Sequence, residues 1–290
     1  MEGKSYFRLL KEALKLSRVN NLIIIFFTQY AATIFILNND KPVSDVLLDP
    51  RLFALVLGTM IIAASGYYIN DYYDIKIDLI NKPDKVIVGR NIRRRPVMFA
   101  HVAMNLIGVL LGAWVSLYLG VINLICAVLL WWYSNQLKKL PFIGNLVVAL
   151  MTSTTLLVLS LYFGSLNLLL FVYAFFAFGI TLIREIIKDI EDMEGDASFG
   201  GVTLPIALGT RKTKWILYGL NLLFFISLGY FLFRLHHFEM NVYFGLMMIP
   251  YAHFIWKLIH ADTKIAFTRL SNYSKWLIVA GIFSMVILEF

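Results

Sequence analysis

Apolar residues in this chain gather into nine blocks, at 21–38, 52–72, 97–119, 121–136, 143–163, 167–188, 214–234, 241–260 and 275–290. A helix needs about 20 apolar residues to cross a bilayer, and most of these blocks reach that length. The fourth and ninth are the shortest. Linkers between blocks are brief and leave no room for a soluble domain. The pattern predicts an all-α integral membrane protein with nine transmembrane helices. They form one membrane domain over 1–290. Met1 to Asn20 is polar and basic, with Tyr6, Phe7, Leu10 and Leu14 at helical spacing. It reads as an amphipathic interfacial helix, not a cleaved signal.

Composition agrees. Of 290 residues, 60% are hydrophobic and 15% charged, and the mean hydropathy is +0.75. A soluble domain of this size is not that apolar. The charges then orient the spans. With the N-terminus in the cytoplasm, the cytoplasmic segments collect all of the 26 Lys and Arg except Lys41, Arg51 and Arg234. This follows the positive-inside rule, so the net charge of +8 is mostly topology and predicts no nucleic-acid partner. Cys126 is the only cysteine, which excludes a disulfide framework or a thiolate metal site. The five histidines form no metal motif.

Two polar stretches interrupt the apolar pattern with carboxylates. Asp71, Asp74 and Asp78 lie at and just beyond the end of the second block, and Asp189, Asp192 and Asp196 follow the sixth. Both sets fall at i, i+3 and i+7. At roughly 100° per residue, each set stays within about 60° on one helical face. A lone carboxylate near a membrane boundary is usually a solvated helix end. Two triplets at the same spacing on the same side point instead to a shared cation site. Carboxylates that close repel one another unless a cation sits among them, and Mg²⁺ held by carboxylates commonly has phosphate on its open side. Four spans separate the triplets, which suggests two four-helix halves plus a ninth helix. Each triplet runs into a long polar stretch, 79–96 or 195–213, that could act as a lid.

Basic residues crowd the triplets: Arg18, Lys85, Lys138, Lys139, Arg184 and Lys188. Singly each reads as a positive-inside anchor. Together they would complement a diphosphate and stabilise it as a leaving group. Asn21 and Asn70 sit at expected helix ends, as caps or as ligand contacts. Tyr67, Tyr68, Tyr72 and Tyr133 are the aromatic residues nearest the triplets.

With these motifs the chain resembles the UbiA superfamily of intramembrane prenyltransferases. Asn70-Asp71-x-x-Asp74-x-x-x-Asp78 and Asp189-x-x-Asp192-x-x-x-Asp196 match that family's two motifs. Tyr133-Ser134 with Leu137-Lys138, Pro141 and Gly144-Asn145 is similar to its junction between the fourth and fifth helices. Thr203-Leu204-Pro205 with Gly209 is similar to the stretch after its second motif. Lys85-Val86 stands where many members have Arg-Pro, and Arg18-Val19-Asn20-Asn21 lacks a proline common there. The stretch from Arg184 to Asp196 is most similar to the branch that prenylates geranylgeranylglycerol phosphate.

The resemblance implies nine helices around a central apolar cavity that holds an isoprenoid tail away from water. It implies Mg²⁺ as cofactor, with two ions, one on Asp71, Asp74 and Asp78 and the other on Asp189, Asp192 and Asp196. A polyprenyl diphosphate would be the donor and a lipophilic acceptor, most simply an isoprenoid glycerol phosphate, the second substrate. Asp71, Asp74, Asp192 and Lys188 would carry the chemistry. Asn21, Asn70, Lys85, Tyr133, Lys138, Arg184 and Lys188 would bind substrate. Arg90, Arg93, Arg94 and Arg95 would be spare cations for an acceptor phosphate. The active site would face the cytoplasm of a bacterial or archaeal-type cell membrane. An aromatic acceptor of the quinone, haem or chlorophyll type is the alternative within the superfamily. A transporter with intramembrane carboxylates is the alternative outside it.

Overall fold

The computed structural model describes residues 2–37 and 42–288, with side chains from Leu9 onward. Lys41, counted above on the far side, and the side chains of Tyr6 and Phe7 lie outside those described. The chain begins with α1 (Glu2–Leu16) and α2 (Val19–Ala32), the latter prolonged by a π-helical turn at Thr33–Leu37. A short α3 (Val43–Leu47) leads into α4 (Pro50–Tyr73) and α5 (Ile75–Asn81). After a 3₁₀ turn at Pro83–Lys85 come α6 (Arg94–Val115) and α7 (Leu117–Asn135). A second 3₁₀ turn, Leu137–Lys139, precedes α8 (Ile143–Phe163) and α9 (Leu168–Ser198). The short α10 (Leu204–Leu208) is followed by α11 (Thr210–Leu235), α12 (Phe238–Ile259) and α13 (Lys264–Ile287).

Among the described residues, nine of these helices are long and apolar enough to cross a membrane, as the apolar blocks predict. Their ends differ from the block ends where charge lies inside the bundle. The sixth span continues to Ser198 instead of stopping at 188. The ninth starts at Lys264 instead of 275, so Lys275 lies well inside it. Hydropathy treats each charge as a boundary. A charge on the inward face of a helix costs less than one facing lipid, because protein partners surround it, and the helix continues past it. The stretch 195–213 is likewise mostly helical, with α9 and α10 covering much of it.

α4, which ends at the first triplet, and α9, which bears the second, are the most enclosed of the nine. α11 and α12 are the most peripheral and turn Leu222, Ile226, Leu246 and Ile249 outward. The inner pair is well terminated at the end away from the triplets. Asp49 accepts a hydrogen bond from the Arg51 amide, with Pro50 at the first position of α4. Asn167 accepts from the Leu169 and Leu170 amides at the start of α9. Such caps satisfy amides that a helix leaves unpaired.

α4 packs closely on α6 because Gly108 has no side chain. A Cβ there would lie 2.8 Å from Ile62. The Gly108 carbonyl also accepts from Asn123 Nδ2 on α7 at 2.8 Å. Small residues and interhelical polar contacts hold helices together where the surrounding lipid is as apolar as the side chains. On the triplet side, Leu16 of α1, Tyr68 of α4, and Val88 and Val97 form a small core. That core fastens the 79–96 segment to the bundle.

Candidate active site

The first triplet does not lie on one unbroken helix. α4 ends at Tyr73 and α5 begins at Ile75, with Asp74 between them at φ −86°, ψ 2°. The backbone hydrogen bonds still connect across the break: Asp74 donates to Asn70 O and Asp78 donates to Asp74 O. The carboxylates therefore stay together while α5 swings towards α9. The second triplet lies wholly on α9.

α5 is fastened to α9 by one side chain. Asn81 Nδ2 donates to the Asp192 carbonyl at 2.9 Å, and the Gly195 amide donates to Asn81 Oδ1 at 3.0 Å. A Cβ on Gly195 would lie 2.5 to 2.7 Å from three atoms of the Asn81 amide. Gly195 is required here for close approach, since its backbone is helical. This clasp brings the two triplets face to face.

Cations bridge the carboxylates. Arg18 Nη2 donates to Asp71 Oδ1 at 2.9 Å, and its guanidinium lies 4.8 Å from the centre of the Tyr67 ring. Arg18 takes the left-handed backbone region, φ 50°, at the turn between α1 and α2. That is an unfavourable conformation for a side chain of this kind, and such strain commonly marks functional positions. Lys138 Nζ pairs with Asp74, whose other oxygen accepts from Asn70 Nδ2 at 2.8 Å. Lys82 Nζ reaches Asp192 at 2.7 Å and Glu191 at 3.3 Å. Asn145 Nδ2 donates to Asp189 Oδ2 at 2.8 Å. Burial and the neighbouring charges of Asp74 and Asp71 push the Asp78 carboxyl up to about 6, and Asp192 adds to the repulsion. Asp196 likewise interacts with Asp192, Asp74 and Lys138.

The central cavity expected from the sequence is present, with a volume of about 380 Å³. It is apolar along α8, α9, α11, α12 and α13, where Leu156, Phe176, Phe224, Met247 and Ile278 line it. Its polar end holds Arg18, Asn21, Tyr67, Asn70, Tyr133, Arg184, Glu185, Lys188 and Lys275. Asn21 lies inside α2 and donates to Tyr67 Oη at 3.2 Å, so it is not a cap.

Most of the residues picked from the sequence meet here, with two corrections. Lys85 is exposed on the 3₁₀ turn outside the carboxylates, and Lys82 occupies the place expected for it. Pro83 begins that turn and directs the two lysines apart. Arg90, Arg93, Arg94 and Arg95 are exposed and do not line the cavity, and Arg94 packs over the Tyr72 ring at 4.5 Å. Sequence reasoning missed Lys82, Asn81, Glu185 and Lys275. An intramembrane charge is itself a signal, and it pointed to Lys275 once the ninth span was known to begin at Lys264.

The carboxylates suit a hard cation such as Mg²⁺. Among the described residues, no three His, Cys, Asp or Glu side chains are close enough to form a complete cage. Mg²⁺ does not need one, since it is commonly held by one or two carboxylates plus substrate phosphates and water. The lysines now paired with Asp74 and Asp192 occupy the positions where that charge would be balanced.

Comparison with known proteins agrees with this architecture. Residues 26–277 match the model of the UbiA prenyltransferase family. A digeranylgeranylglyceryl phosphate synthase of Saccharolobus solfataricus is 36% identical over 81% of this chain and 83% of its own. Another, from Methanosphaera stadtmanae, is 40% identical over 59% of this chain, and that match spans 64% of the relative's length. A solved structure concerned with digeranylgeranylglyceryl phosphate synthase in membranes superposes with a TM-score of 0.70 at 24% identity, covering 96% of this chain and 97% of its own. A UbiA homologue from Archaeoglobus fulgidus, bound to GPP and Mg²⁺, superposes with a TM-score of 0.68 at 17% identity, covering 95% and 99%.

Proposed function

The chain belongs to the UbiA prenyltransferase family, and from that premise we propose that it transfers a geranylgeranyl group to the free hydroxyl of an isoprenoid glycerol phosphate. The two facing carboxylate triplets, joined through Arg18 and Asn70 to the polar end of an apolar cavity, carry this reading. The relatives named as digeranylgeranylglyceryl phosphate synthases support the choice of acceptor.

One or two carboxylates among Asp71, Asp74 and Asp78 would hold one Mg²⁺, and one or two among Asp189, Asp192 and Asp196 a second, with the donor's phosphates and water supplying the rest. Bound there, Mg²⁺ supplies Lewis-acid stabilisation of the diphosphate as it departs. Asn70 and Asn145 orient Asp74 and Asp189 through the hydrogen bonds already described. Lys82 and Lys138 exchange carboxylate for phosphate oxygens and stabilise the negative charge that grows on the leaving group. The donor's C–O bond breaks, leaving an allylic cation and diphosphate. The acceptor oxygen then bonds to that carbon and passes its proton to the released diphosphate or to water. The apolar wall of Leu156, Phe176, Phe224 and Met247 holds the tail and excludes water that would trap the cation. Lys82, Lys138, Lys139 and the 79–96 arginines lie at the same end of the bundle as the triplets. That distribution supports an active site facing the cytoplasm.

The test is a reaction of purified protein with labelled geranylgeranyl diphosphate, with and without excess chelator. Acceptors should include geranylgeranylglyceryl phosphate and a quinone precursor. Metal-dependent product from the lipid phosphate is expected. Product from the aromatic acceptor alone would move the protein to the quinone-type branch.

A further inference from the structure

Above the carboxylates, the cavity holds a second charged cluster that the metal chemistry does not use. Arg184 and Lys188 project from α9, and Lys275 from α13. Between them lies Glu185, which is buried. It pairs with Arg184 and lies 3.4 Å from Lys188 Nζ. Lys275 interacts electrostatically with Arg184, Lys188, Arg18 and Glu185, and it makes no hydrogen bond or close ion pair among the described residues. Arg184 Nε is buried without an acceptor. Arg18, the remaining cation at this end, is already engaged by Asp71 and Tyr67.

We propose that Arg184, Lys188 and Lys275 form a phosphate monoester site for the acceptor, separate from the donor's diphosphate site. This rests on the prenyltransferase reading above. Glu185 is taken up by Arg184 Nη1 and Lys188, which leaves Arg184 Nε and the Lys275 ammonium without a direct acceptor inside a membrane domain. Unpaired charge there is costly. A phosphate monoester carries about −1.5 to −2 near neutral pH and would engage both groups. It also supplies several oxygens, enough for the unpaired Arg184 Nε and the unpaired Lys275 ammonium together.

Spacing along α9 fits the reaction. Lys188 adjoins Asp189, and Arg184 lies five residues before Asp189, about 7.5 Å along the axis. An acceptor phosphate held there would border the second triplet and bring its glycerol hydroxyl towards the donor carbon. Glu185 fixes the Arg184 and Lys188 side chains in the absence of ligand. The site also accounts for a lysine in the middle of α13, a helix that contributes no residue to either triplet.

Binding and turnover test this together. In excess chelator and without donor, geranylgeranylglyceryl phosphate should raise the melting temperature of the wild-type protein, and the same lipid without its phosphate should not. Lys275→Gln should abolish that shift and raise the acceptor KM at least tenfold, on the scale of losing one charge-assisted hydrogen bond. Its donor KM should stay within about twofold of wild type. Lys275→Arg, which keeps the charge, should retain most acceptor binding and guards against a folding defect in the glutamine variant. The inference is overturned if wild type prenylates the lipid phosphate while Lys275→Gln leaves acceptor KM unchanged, or raises donor and acceptor KM equally. Wild-type protein that neither binds nor prenylates the lipid phosphate would overturn the acceptor assignment, and this site with it.

Discussion

Gly195→Ala should weaken the joint between the two triplets. The added Cβ would lie 2.5 to 2.7 Å from Nδ2, Cγ and Oδ1 of Asn81, too close for the amide to remain where it is. Moving the amide removes both of its hydrogen bonds to α9, at about 1 kcal/mol each. The residual overlap adds about 1–3 kcal/mol. Alanine's better helix propensity returns at most about 1 kcal/mol. The net expectation is a loss of about 2–5 kcal/mol, read as a lower melting temperature in detergent. Activity should also fall, because Asp78 and Lys82 shift with α5 relative to Asp192 on α9. A misplacement of about 1 Å at a reacting centre can cost roughly 100-fold. The double variant Asn81→Ala with Gly195→Ala separates the two effects. Removing the Asn81 amide relieves the overlap, so the melting temperature should recover above that of Gly195→Ala. The clasp is still missing, so turnover should stay low. Wild-type turnover and melting in Gly195→Ala alone would refute the clasp.

Three further outcomes are expected. Asp74→Ala and Asp192→Ala should each cut turnover at least roughly 100-fold in folded protein, on the scale of one lost electrostatic stabiliser, while Glu239→Ala at the opposite end should leave it unchanged; an initial-rate assay at saturating Mg²⁺ decides. The Asp78 carboxyl, raised to about 6 by burial and its acidic neighbours, must be ionised to hold metal. The Mg²⁺ half-saturation should therefore rise as the pH falls below about 6, by up to about tenfold per unit for this group. In chelator the sign for stability is the reverse of the usual carboxylate. The folded protein binds this proton more tightly than the unfolded chain, so Asp78 favours folding as the pH falls through 6, and Asp78→Asn should flatten that part of the melting profile. Finally, cysteines placed at Asp84, Lys139 and Thr210 should react with an impermeant reagent from one face of the membrane, and one at His237 from the other. Labelling of positions 84 and 210 from opposite faces would separate the two triplets.

The nine spans and the two triplets were legible in the sequence because each is a local property. Block length decides whether a helix can cross a bilayer, and i, i+3, i+7 spacing gathers carboxylates wherever the helix lies. The same locality set the limits of that reading. A hydropathy profile cannot distinguish a charge that ends a span from one that faces a cavity, so Lys275 was read as a boundary when it lies inside α13. Proximity in sequence also misled: Lys85 was chosen beside the first triplet, but the turn at Pro83 leaves it outside and sends Lys82 to Asp192, 110 residues away. The Asn81–Gly195 clasp spans 114 residues. It exists because α5 breaks from α4 at Asp74 and because one position on α9 has no Cβ. Sequence alone determined the spans and gathered the carboxylates into two triplets. The packing of α5 and α13 against α9 decided which cation meets which carboxylate, since that depends on distances between helices that no local pattern encodes.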